Sequence, residues 1–179
     1  MKLLRISTGF CLAMLVTGVA LAQVTTEAAK GTDFSKYKTF MWIKGPNATN
    51  PLANQRIISD VISALTAKGL RLVASDADLG IAANAATETQ QTMQTFYDGF
   101  AGGWRWRDGV GSSVTTVTTY TVGTLIIDIF DCRSKEAIWR GTAMKTLSDS
   151  PQKRNVSIDQ GIAKLFKSFP AADTTRSQQ

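Results

Sequence analysis

The chain has 179 residues, 20 Lys and Arg against 14 Asp and Glu, and no histidine. Without an imidazole there is no Ser-His-Asp or Cys-His nucleophile, no zincin or C₂H₂ zinc centre and no His-ligated haem. The formal charge of +6 comes with no Lys/Arg run longer than Lys153-Arg154, which suits solubility and weak attraction to anionic surfaces and gives no sign of a nucleic-acid partner.

Residues 1–22 pair two basic residues, Lys2 and Arg5, with an apolar run from Phe10 to Val19 and end on Ala20-Leu21-Ala22. That pattern predicts a secretory signal peptide cleaved near Ala22-Gln23. The run is too short, and too interrupted by Thr17 and Gly18, for a spanning helix of about 20 apolar residues. The expected mature chain is periplasmic, with no integral span, 18 basic residues and 14 acidic ones, net +4. Cys11 has the wrong flanks for a lipid anchor. Cys132 is the one thiol left after cleavage, so it is either buried or paired between chains.

The domain plan is a flexible segment over 23–32, a single domain over 33–170 and a flexible tail over 171–179. Tyr37–Ile43 (YKTFMWI) reads as a strand. Asn50 as N-cap with Pro51 opens a helix in which Ile58, Val61, Ile62 and Leu65 form one stripe before Gly69. Leu70–Val73 is a short strand. From Leu79, the residues Ile81, Ala83 and Ala85 alternate onto one face, which predicts a strand to Phe96, although Ala, Glu, Gln and Met also leave a partly helical segment open. Ser112–Thr121 is β-branched and extended, Gly123 allows a bend, and Thr124–Phe130 continues it. A turn over Asp131–Lys135 returns the chain antiparallel through Glu136–Leu147. Ser150 and Pro151 open a second helix, striped by Ile158, Ile162, Leu165, Phe166 and Phe169 and stopped by Pro170.

The order β-α-β-β-β-β-α predicts an α+β fold: a mostly antiparallel sheet with two helices on one face and a long hairpin with a Gly/Trp-rich tip. Trp42 and Trp139, each among aliphatics in a strand, are expected in the core. Alternation leaves the Thr-rich arm wet on both sides, an edge that another sheet could extend.

The tip, FYDGFAGGWRWRDGVG over 96–111, is the most unusual stretch. If Trp104-Arg105-Trp106-Arg107 is extended, both indoles lie on one side and both guanidinia on the other. With Tyr97 and Phe100 these four are the candidate binding residues, suited to a sugar ring or a partner groove and to carboxylates or phosphates; the alternative is a hairpin tip whose aromatics fold back onto the sheet. No catalytic set emerges. Asp128 and Asp131 are three apart in a strand and fall on opposite faces, Asp76 and Asp78 read as turn residues, and Ser134-Lys135 matches no nucleophile motif. No metal or cofactor is expected.

The segments DFSKYKTFMW (33–42), NPLANQRI (50–57), GTLIIDIFD (123–131), WRGTA (139–143) and IAKLFKSFP (162–170) resemble an exported bacterial family catalogued as domain of unknown function 4136. The resemblance implies an envelope location, including association with the outer membrane since many members are lipoproteins, and it implies the α+β domain. It transfers no catalytic residue. The expected function is a non-enzymatic envelope domain that binds a protein or a glycan or has a structural role. The alternative is a carboxylate-dependent hydrolase or transferase, which would bring at least two of Asp60, Asp98, Asp108, Asp128 and Asp131 into one pocket.

Overall fold

Asn50 and Ser150 cap the helices α1 (Pro51–Ala67) and α2 (Pro151–Lys167): their side chains accept hydrogen bonds from the Leu52 and Lys153 backbone N–H groups, and each helix has proline in its first turn. Pre-set φ and a filled cap are what those two residues supply at a helix start. The computed structural model describes residues 23–97 and 113–170. Around the helices lie β1 (Gln23–Ala28), β2 (Thr39–Lys44), β3 (Arg71–Leu72), β4 (Leu79–Tyr97), β5 (Ser113–Asp131) and β6 (Ala137–Thr146). They form a single sheet in the order β1-β6-β5-β4-β2-β3. The pairs β1/β6, β6/β5 and β5/β4 are antiparallel, and β4/β2 and β2/β3 are parallel.

Two sequence expectations change here. The stretch expected to be flexible, 23–32, contains β1, paired with β6 along its whole length from Gln23↔Met144 to Ala28↔Trp139. Its pattern is polar because an edge strand is held by backbone bonds and only one face, through Val24, touches the core. The segment from Leu79 is strand throughout, with no helical part: register with β5 runs unbroken from Leu79↔Asp131 to Tyr97↔Ser113. Gly123 makes no break in β5. A Cβ there would come within 2.9 Å of Leu147, so the residue admits a side chain lying over the strand.

Alternation places Leu79, Ile81 and Ala83 of β4, Ile127 and Ile129 of β5, and Trp139 and Ala143 of β6 in the core, beneath Ile57, Val61 and Leu65 of α1 and Ile162, Leu165 and Phe166 of α2. Both helices therefore cover one face of the sheet. Ile57, rather than Ile58, heads the buried stripe of α1. Trp139 is 3% exposed, while Trp42 packs at the core margin with its indole N–H unpartnered.

The helices are parallel to each other. Lys68, just after α1, donates to the Phe169 carbonyl at the far end of α2 (2.6 Å), and both N-terminal turns line the same cavity at the opposite end. The turn after β5 is fixed by Asp131, whose carboxylate accepts from the Tyr37 hydroxyl (2.7 Å) and from the Arg133 and Ser134 N–H groups. The Tyr37 hydroxyl first, then those N–H groups and Lys36, hold its pKa down at about 2. Beyond residue 88 only β4 and β5 continue among the described strands, as a two-stranded arm. On it Met93 and Val117 are paired and exposed, by 69% and 52%.

Candidate functional site

The sheet outruns the helices, and that mismatch creates the site. Where α1 and α2 begin, β4, β5 and β6 carry on toward the arm, and the helix-side positions there are small: Ala85, Gly123 and Ala143, facing Gly161 of α2. A Cβ on Gly161 would stand 3.7 Å from that of Ala143, so the surfaces are close without filling the space between them. The result is a cavity of about 460 Å³, within the range of roughly 300–1,000 Å³ usual for small-molecule sites.

Its walls are aliphatic: Leu52 and Ile57 from α1, Leu125 from β5, Leu147 after β6, and Ile158 from α2. Leu52, 72% exposed, stands at the mouth. Thr87 and Thr121 contribute hydroxyls, and Lys145, Asp149 and Arg154 contribute charge. The loop leading into α1 is held in place by Asn54, whose side-chain oxygen accepts from the Ala48 N–H (2.6 Å) and whose amide donates to the Ala48 carbonyl (3.0 Å). Arg154 donates to the Ser148 and Asp149 carbonyls, binding its guanidinium to the entry of its own helix.

Of the sequence candidates for binding, Tyr97 is the last residue of β4, while Phe100, Trp104, Arg105, Trp106 and Arg107 lie outside the described residues. None of the cavity residues was singled out from the sequence as a binding residue. Their signal was present only indirectly, in the small residues Ala83 and Ala85, which suit close approach of a helix.

The carboxylates named as possible partners are dispersed. Asp128 makes a two-point ion pair with Arg140 (2.6 and 2.9 Å) on the face away from the helices. Asp131 belongs to its turn. Asp60 lies between the helices, next to Asp159, which Arg56 already holds at 2.8 and 3.0 Å. Asp98 and Asp108 lie outside the described residues. No group of three or more Cys, Asp or Glu capable of holding a metal occurs among the described residues. Cys132 is half-buried, and burial, then the Asp131 and Asp78 carboxylates, push its thiol pKa up, which makes it a poor nucleophile.

Asp60 carries a pH dependence. Burial first, then a hydrogen bond with Asp159 and its charge, raise its pKa from 3.8 to about 6, and one of its oxygens has no partner. The folded state thus holds this proton more tightly than the unfolded chain does. The associated stability is fully present below pH 3.8 and is lost as pH rises to about 6. Allowing for solvent screening, the loss is on the order of 1 kcal/mol. Asp60→Asn, which puts an amide N–H donor where the protonated carboxyl has its O–H, is expected to abolish that decline in urea-unfolding free energies measured across the window. An unchanged slope in the variant would rule out Asp60 as its source.

The model of the family DUF4136, a domain of unknown function, matches residues 24–171. No curated protein matches. Among solved structures the chain is similar to the PelC dodecamer from Paraburkholderia phytofirmans, with 16% identity over 81% of this chain and 94% of that one and a TM-score of 0.49. It is also similar to a PDZ domain protein from Parabacteroides distasonis, with 17% identity over 83% of this chain and a TM-score of 0.56. The aligned region spans 36% of that second protein, and the likeness is one of fold. Among the described residues no helix is long and apolar enough to cross a membrane.

Proposed function

We propose, for a chain that belongs to the DUF4136 family, that it is an exported, non-enzymatic domain of the cell envelope that binds a small component of that compartment in the cavity at the base of its arm. The observation that carries this reading is the lining. Aliphatic walls surround a few hydroxyls, and of the three carboxylates Asp60, Asp128 and Asp131 none reaches the cavity. The carboxylate-only hydrolysis weighed above needs two carboxylates acting on one bond, and among the described residues the lining holds one, Asp149, which is exposed. A binding site needs apolar contact area and a few polar groups to orient the guest, and both are present. Export is supported by the leader pattern of residues 1–22: a short basic start, an apolar run and Ala20-Leu21-Ala22. Trp104 and Trp106, in the stretch of sequence between β4 and β5, would add a second contact to the envelope.

Native mass spectrometry of the protein recovered from the periplasm tests both parts. The expected species begins at Gln23 and carries a small-molecule adduct that Ala85→Leu, which fills the cavity, removes. A chain retaining residues 1–22 would refute export. Equal adducts on wild type and Ala85→Leu would refute the cavity as the site.

A further inference from the structure

We infer that the guest of this cavity is a single-chain amphipathic anion, with its aliphatic chain between the helix starts and the sheet and its head group on the ammonium of Lys145; this rests on the reading of the cavity as the binding site. Three observations select that chemistry. First, the lining contains no Phe, Tyr or Trp. Sugar rings and heterocycles are commonly bound against aromatic faces, whereas Leu52, Ile57, Leu125, Leu147 and Ile158 offer contact suited to a flexible hydrocarbon. Second, the volume of about 460 Å³ is a single space of the size that one such chain fills.

Third, the charges are unevenly committed. Arg154 is spent on the Ser148 and Asp149 carbonyls. Asp149 is exposed. Lys145 is half-buried and projects from β6 on the same face as Ala143 and Leu147, opposite Gly123 in the register. The absent side chain at Gly123 leaves room beside it. Among the described residues the Lys145 ammonium has no ion pair or hydrogen bond. A half-buried ammonium bordering apolar walls gains from an incoming anion and repels a cation. A neutral chain would receive only the wall contacts.

Isothermal titration calorimetry with decanoate, decanol and decyltrimethylammonium, which share one chain length, separates head group from chain. For wild type the expected order of affinity is decanoate, then decanol, then the cation. Lys145→Met keeps the aliphatic stem and is expected to weaken decanoate roughly tenfold, the worth of a charge-assisted contact, leaving decanol unchanged. Lys145→Glu is expected to reverse the preference toward the cation. Circular dichroism melts check that both variants fold. Equal wild-type affinity for all three probes, or decanoate binding indifferent to Lys145→Met, would overturn the head-group assignment while the cavity reading survives, provided that Ala85→Leu still abolishes binding. Failure of all three to bind would overturn the aliphatic guest, and the mass-spectrometric adduct then decides the cavity separately.

Discussion

Trp139→Ala is expected to lower the unfolding free energy by about 3–5 kcal/mol, the usual cost of deleting a buried large aromatic. Trp139 stacks on Phe166 with ring centroids 5.5 Å apart and meets Phe169 edge-on at 5.4 Å. Phe169 in turn meets Phe34 at 5.5 Å. This chain of rings fastens the end of α2 to β6 and to the turn before β2, so truncation removes transfer energy, leaves a void and breaks ring contacts worth about 0.5–1.5 kcal/mol per pair. Chemical denaturation gives the number. Leu52→Ala, on an exposed side chain, serves as the comparison and should stay within about 0.5 kcal/mol of wild type. A Trp139→Ala effect as small as that would mean the ring cluster contributes nothing.

The same substitution at two buried glycines is expected to have opposite signs. At Gly141 an added Cβ would stand near the Trp139 ring and 2.8 Å from Leu165 Cδ2, both of them packed in the core. Gly141→Ala should therefore cost about 1–3 kcal/mol through overpacking. At Gly161, inside α2, the nearest atom is Ala143 Cβ at ordinary van der Waals distance. Gly161→Ala should stabilise by about 0.5–1 kcal/mol, because alanine loses less backbone entropy in a helix. Thermal and urea unfolding of the two variants checks the pair, and the packing account fails if both shift in the same direction.

Local signals in the chain specify most of the elements. The Asn-Pro and Ser-Pro pairs mark both helix starts to the residue, because capping and pre-set φ act within one turn. The alternation of Leu79, Ile81 and Ala83 identifies a strand even against the helix-forming residues after it, since burial of one face outweighs intrinsic propensity. The Asp131–Lys135 turn is equally legible: Lys135 takes a left-handed backbone conformation, and its N–H bonds the Asp131 carbonyl at 2.8 Å. The opposite facing of Asp128 and Asp131 follows from period two alone.

What needed the tertiary structure depends on which remote surfaces meet. β1 is held by the backbone edge of β6, and a mostly polar hexapeptide carries no trace of that pairing. Asp60 acquires its raised pKa from burial between the helices first and then from Asp159 on the other helix, neither of them visible to any local window. The cavity arises because two parallel helices start short of where three strands end, with small side chains beneath the gap. So the sequence by itself determined the element order from β2 to α2, the α+β class and the absence of imidazole chemistry, all properties of composition and short-range periodicity. Only the tertiary structure decided the strand order, the binding cavity and the isolation of Lys145, because those arise from packing between segments far apart in the chain.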